Sequence, residues 1–241
     1  MAQRKRGSLR FTVLERAAPF IGFAASTVVL VLIVMVLGEH PGTAFRAIWK
    51  FTGATSAKVA QVLSISIPYY LSGLAVALAF KAGVFNIGVG GQYFVGGFTA
   101  ALAGIYLRLP PAIHVPVVVL AGMLGGALWA LIPALMKVRR GIHEVITTIL
   151  FNNIAIALVT YFVNGPFTGI QKGASLEPQT QKIAGTAVFG KLNSLLRAIG
   201  WNVPEYVYID YSLIVALVMG ILLWFLISRT RRGFEIRAVG T

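Results

Sequence analysis

Six runs of roughly twenty apolar residues recur along this chain, near residues 18–38, 59–80, 87–106, 112–136, 144–163 and 211–228. About 20 apolar residues in a helix cross the hydrocarbon core of a bilayer. Inside lipid every backbone polar group needs an internal partner, and a helix provides one within its own segment. The runs therefore predict an all-α fold, a polytopic transmembrane helix bundle of about six spans. Charge supports this: 12% of residues are charged, against about 25% in soluble domains.

The charge is also one-sided, with 21 Lys and Arg against 7 Asp and Glu. On a soluble domain that balance would point to nucleic acid. Here most basic residues flank or connect the apolar runs, where they orient helices and meet anionic lipid headgroups. Membrane lipid, and no nucleic acid, is the expected partner. With both termini cytoplasmic, 13 of the 21 fall inside. Of the 8 outside, Lys172, Lys182, Lys191 and Arg197 lie in a long outer loop, 164–210, where charge hardly affects orientation.

Residues 1–17 then form a cytoplasmic basic N-terminus, 18–228 the transmembrane domain, and 229–241 a cytoplasmic basic end. The first run exceeds the ~7–15-residue core of a signal peptide, so it reads as a retained helix. Between the first two runs, Phe45, Ile48, Trp49 and Phe51 suit a short interfacial helix, with a plain loop as the alternative. Residues 189–199 of the outer loop could form a short amphipathic helix.

The stretch from Ala82 to Phe94 is not explained by hydropathy. It holds Gly83, Gly88, Gly90 and Gly91 together with Asn86 and Gln92. It is not a phosphate loop, because the nearest lysine, Lys81, precedes the glycines. It is not a dinucleotide fingerprint, because Tyr93 occupies the third glycine position and no strand precedes it. Glu144, Thr148 and Asn152 are spaced by four and share one helix face. Glu144 is expected to cap its helix start. Gly122 and Gly126 make a GxxxG, a close-approach motif between membrane helices.

Catalytic chemistry finds no footing. The chain has no cysteine, and His40, His114 and His143 are scattered without ligand partners at metal spacing. No catalytic constellation, metal site or cofactor site is expected.

Four stretches, in order, resemble one family. Lys81-Ala-Gly-Val-Phe-Asn-Ile-Gly-Val-Gly-Gly-Gln92 is similar to the AGLFNIGxEGQ segment of inner-membrane permeases of ABC importers, of the branched-chain amino acid and ribose type, nucleoside or simple-sugar subgroup. Ser66-Ile-Pro-Tyr-Tyr-Leu-Ser-Gly-Leu-Ala-Val-Ala-Leu-Ala-Phe80 resembles the proline-containing span before it. Arg140-Gly-Ile-His-Glu-Val-Ile-Thr-Thr-Ile-Leu-Phe-Asn-Asn153 resembles RGxNEVIxTLMLNYI. Thr230-Arg-Arg-Gly-Phe-Glu-Ile-Arg-Ala-Val-Gly240 resembles the cytoplasmic element ending RAVG. Two positions depart: Gly91 stands where the family often has glutamate, and His143 where it often has asparagine. The family continues past RAVG into a coupling helix and further spans, so a C-terminal truncation is expected.

The resemblance implies a transport subunit that is no enzyme, in a bacterial cytoplasmic (inner) membrane. It implies a partner ABC ATPase that hydrolyses ATP, a second permease subunit, and an extracytoplasmic solute-binding lipoprotein, for which the outer loop is a docking candidate. By the same analogy Gly233, Phe234, Arg237, Ala238 and Gly240 begin the ATPase coupling contact. Asn86, Gln92, Thr148, Asn152 and Asn153 are candidates for the path of a nucleoside or simple sugar, since uncharged amides and hydroxyls can exchange hydrogen bonds with a neutral solute. Their alternative role is bonding helix to helix. A secondary transporter or channel is the rival function, and a branched-chain amino acid the rival substrate.

Overall fold

The computed structural model describes residues 2–53, 55–169, 178–201, 203–204 and 207–240, with side chains from Ala17 onward except Thr52. Nine α-helices occur among them: α1 (Ala2–Val36), α2 (Pro41–Thr52), α3 (Ser56–Lys81), α4 (Val89–Tyr106), α5 (Pro111–Arg140), α6 (Glu144–Asn164), α7 (Asn193–Ala198), α8 (Ser212–Arg229) and α9 (Arg231–Val239). The described residues contain no strand, only the isolated bridges Thr168–Thr180 and Lys191–Asp210.

A helix lies over each of the six apolar runs. Five are long and apolar enough to cross a membrane: Ala17–Val36 within α1, then α3, α5, α6 and α8. Helix α4 is as long as α8, at 18 residues, but its glycines and Gln92 lower its hydropathy. Large apolar side chains cover the helix surfaces; Leu124, Leu128 and Ile221 are each more than 60% exposed. Such a surface is unfavourable in water and suited to lipid. The fold is an all-α, multi-pass membrane bundle.

The chain divides into two compact units, Met1–Lys58 and Val59–Thr241. In the first, α1 continues from the basic flank into the apolar run without a break. Helix α2 stands where a short interfacial helix or a loop was expected. Pro41 opens it and His40 Nδ1 accepts the Gly42 N–H at 3.3 Å, so one of the unpaired first-turn donors is met. Trp49 and Phe51 are 80% exposed.

In the second unit α4, α5 and α6 form the packed centre. Gly122 and Gly126 set α5 directly on α4. A Cβ on Gly122 would lie 3.2 Å from Gly96 O, and one on Gly126 would lie 3.2 Å from Gln92 O. Thr99 Oγ1 reaches Ala121 O of α5 at 3.1 Å. Trp129 Nε1 donates to Phe151 O of α6 at 3.3 Å, with the two rings edge to face. Helix α5 runs four residues past the expected span. Lys137, Arg139 and Arg140 occupy its last turn, where cations meet the negative helix end, and Gly141 at φ 66 terminates it. What the sequence suggests as a basic connection is mostly helix.

At the opposite end Phe98, Phe162 and Phe167 cluster between α4 and the chain leaving α6. The fully buried His114 has Nδ1 2.8 Å from Thr186 Oγ1, and Ala184 N donates to Gly104 O at 3.0 Å. The segment after Gln179 is thus tied to the ends of α4 and α5. Beyond it α7 falls within the expected helix at 189–199, and Leu192, Leu196, Val203 and Ile209 bury a small core beside it. Residues 170–177 of the expected outer loop, including Lys172, lie outside the described residues.

Candidate substrate path and coupling contact

Helix α3 ends at Lys81, and Gly83 turns the chain at φ +69, a left-handed conformation that costs a side-chain-bearing residue about 1–2 kcal/mol. Asn86 Oδ1 then accepts the Gly88 N–H at 3.0 Å and closes a tight turn into α4. Gln92 sits in the first turn of α4 and faces back toward Asn86. Asn86 Nδ2 donates to Gln92 Oε1 at 3.3 Å, and Gln92 Nε2 donates to Asn86 Oδ1 at 3.1 Å. The two carboxamides form a reciprocal pair.

Asn152 reaches the same turn from α6. Its Oδ1 accepts the Gly91 N–H at 2.7 Å and its Nδ2 donates to Ile87 O at 2.8 Å. It thereby satisfies one of the unpaired donors at the α4 N-terminus from a different helix. A Cβ on Gly91 would lie 2.9 Å from Asn152 Oδ1 and 3.1 Å from Ala155 Cβ. A glutamate here would not fit without moving Asn152. Thr148 is buried, and its Oγ1 donates to Glu144 O of its own helix at 2.7 Å. Asn153 is exposed on the neighbouring face of α6.

Three of the five candidate path residues, Asn86, Gln92 and Thr148, line one cavity of about 430 Å³ bounded by the end of α3, the start of α4, α5 and α6. Asn152 adjoins it through Ile87 and Gly91, and Asn153 stands apart. Lys137 and Glu144 also line it, and they form an ion pair at 2.8 Å, with side-chain exposures of 39% and 13%. Sequence reasoning missed this pair. Glu144 is the first residue of α6, and the cap comes from the residue before it: His143 Nδ1 accepts the Val145 N–H at 3.4 Å. Glu144 instead reaches outward, to Lys137 of α5 and, at 3.5 Å, to the Phe85 N–H of the turn. The one signal available was a lysine and a glutamate on either side of a three-residue helix break. Among the described residues no group of His, Asp and Glu is placed to hold a metal ion.

Four of the five candidate coupling residues fall on a helix, and Gly240 caps its end. Thr230 Oγ1 accepts the Gly233 N–H at 3.0 Å and starts α9. Gly233 is buried against the Leu226 and Ile227 backbone of α8, which leaves no room for a side chain. Phe234, Arg237 and Ala238 are exposed along α9. Gly240 closes on the α3–α4 turn: a Cβ on Gly83 would lie 3.0 Å from Gly240 Cα, and one on Gly240 would meet Lys81 O and lie 2.8 Å from Gly83 N. The two glycine-bearing motifs therefore touch backbone to backbone.

The sequence has relatives among known proteins. The chain is 35% identical to the guanosine ABC transporter permease protein NupP of Bacillus subtilis, over 92% of this chain and 60% of that protein. It is 29% identical to the glucose ABC transporter permease protein TsgB13 of Haloferax volcanii, over 95% of this chain and 59% of that protein. It is 26% identical to the nucleoside ABC transporter permease protein NupB of Lactococcus lactis, over 92% of this chain and 60% of that protein. The chain thus spans about three-fifths of the length of these curated relatives. No solved structure matches it at a significant level. The family described as branched-chain amino acid transport system / permease component matches residues 58–241, across the glycine-rich turn, the cavity and α9, and the chain belongs to that family.

Proposed function

We propose that this chain is the permease subunit of an ATP-driven ABC importer and forms, with a second permease subunit, the transmembrane path for a nucleoside or simple sugar. It resides in a bacterial inner membrane, and a partner ATPase hydrolyses the ATP. Six helices serve as spans, α1 from Ala17, α3, α4, α5, α6 and α8, with both termini cytoplasmic. Helix α4 serves as a span despite its lower hydropathy, because α5 and α6 cover it on two sides.

The observation that carries this reading is the close approach of Gly240 to Gly83. It joins the end of α9 to the turn that bears Asn86 and leads to Gln92 at the cavity wall. A displacement of α9 by an ATPase would act directly on the groups that line the path. Phe234 and Arg237 are exposed where such a partner would bear on α9. Gly233 and Gly240 seat the helix, and Ala238 completes its surface. At the other end the cored segment around α7 is the docking surface for a solute-binding lipoprotein.

Radiolabelled nucleoside and glucose uptake in cells carrying the transporter, with and without its ATPase, tests the proposal. Uptake is expected to vanish without the ATPase. Uptake that survives would establish a secondary transporter or channel instead. An Arg237→Glu subunit is expected to insert into the membrane and fail to transport.

A further inference from the structure

We infer that the Asn86 carboxamide is the specificity-determining group of the cavity, reading the donor–acceptor edge of a nucleobase, and that Gln92 occupies its place when the site is empty. This rests on the importer reading above and narrows its substrate to solutes that carry a base.

The argument is an account of which polar groups can be released. Thr148 Oγ1 is committed to Glu144 O of its own helix. Asn152 is committed through both its amide atoms to backbone groups of Gly91 and Ile87. Lys137 and Glu144 are committed to each other. Among the described residues that line the cavity, only Asn86 and Gln92 meet amide to amide, in two hydrogen bonds. A purine or pyrimidine presents an adjacent donor and acceptor on its Watson–Crick edge, and a carboxamide, with its own adjacent donor and acceptor, can meet such an edge with two bonds. A base can therefore take the place of one carboxamide and keep both bonds of the other.

The two partners are not equivalent. Asn86 Oδ1 also accepts the Gly88 N–H, which fixes its orientation, whereas Gln92 has the longer side chain and swings away. Asn86 is the reader and Gln92 the stand-in. The remaining wall is apolar and includes Ala82, Val84, Ala130, Pro133 and Ala134. Apolar walls suit the faces of a flat aromatic ring. A free sugar would set hydroxyls against these walls, whereas a nucleoside can set its base there and keep its ribose outside them. The volume, about 430 Å³, lies within the range of small-molecule sites.

The test compares uptake of inosine with that of N1-methylinosine, whose methyl group removes the donor of that edge. The complete transporter is used with its own binding protein, so a change in the ratio between subunit variants reports the membrane path alone. Asn86→Ala is expected to lower inosine uptake about tenfold and N1-methylinosine uptake less than twofold. Gln92→Ala is expected to act in the opposite sense and lower the apparent KM for inosine, because the competing amide is gone. Equal loss of both solutes in Asn86→Ala, or parallel losses in the two variants, overturns the inference and leaves the importer reading intact. Wild-type transport of glucose with neither nucleoside overturns the nucleoside reading as well. Should a variant fail to reach the membrane, the wild-type complex purified without its binding protein gives the same answer. Inosine, and not N1-methylinosine or ribose, should raise its unfolding midpoint; equal shifts overturn the inference.

Discussion

Asn152 of α6 holds the first turn of α4 through both of its amide atoms, accepting from Gly91 N at 2.7 Å and donating to Ile87 O at 2.8 Å. One side chain thus does what the side-chain cap of a soluble helix does, but from a neighbouring helix. Helix α4 needs this because its own cap position is Gly88, which offers no side chain. Gly91 is the counterpart of the arrangement, since any larger residue there would displace the amide.

Asn152→Ala should cost about 1–2 kcal/mol of bundle stability, between the average interhelical bond in membranes and a buried orphaned group. Gly91→Ala should cost a comparable amount by pushing the amide off its acceptor position. The double variant should lose less than the sum, because the space and the bond belong to one contact. Thermal unfolding midpoints of the four purified proteins measure this, and strict additivity would contradict the shared contact.

Gly240 and Gly83 can be separated by their backbones. Gly83 is left-handed at φ +69, whereas Gly240 is right-handed at φ −87 and could carry a side chain were it not for Lys81 O and Gly83 N. Gly240→Ala therefore tests the contact without backbone strain. It should leave the helix content unchanged, speed amide exchange across residues 82–84, and reduce uptake severalfold. Gly83→Val should be worse than Gly83→Asn, because asparagine tolerates the left-handed region better.

Glu144 joins α5, α6 and the turn, so its variants should rank by how many links they keep. Glu144→Gln retains an acceptor for the Phe85 N–H and gives up the charge opposite Lys137. Glu144→Ala gives up both. Lys137→Ala leaves the Phe85 bond in place. Uptake and unfolding midpoints should therefore fall furthest for Glu144→Ala. A Glu144→Gln protein as impaired as Glu144→Ala would show that charge alone matters.

The spans were legible because a 20-residue apolar run admits few structures in lipid, and a helix covers each run. Chain order also placed the two glycine motifs and the polar face of α6. The pairings were not legible. That Asn86 meets Gln92 while Asn152, on a stripe that suggested a cavity, spends its amide on backbone depends on where α6 stands relative to α4. No spacing encodes that. Lys137 looked like part of a connection because polarity ends the apolar run four residues before the helix ends. The contact of Gly240 with Gly83 joins positions 157 residues apart, and local pattern carries no trace of it.

The small core around α7 depends on one buried amide. Asn193 Nδ2 donates to Val207 O at 2.8 Å and its Oδ1 accepts the Ile209 N–H at 3.3 Å. Leu192 N donates to Ile209 O at 2.8 Å alongside, and Tyr211 N donates to Gly190 O at 3.1 Å just before α8. Asn193→Ala leaves a buried donor and a buried acceptor unpaired, a loss of about 1–3 kcal/mol for each group. Exchange of the Ile209 amide should accelerate strongly, and that of Leu192 with it, while amides of α4 and α6 around Gly91 stay protected. Because the loss is confined to this segment, the variant also isolates the proposed docking role. It should insert normally and lose the solute-binding protein in a pull-down, whereas undiminished capture would place that protein elsewhere on the outer surface.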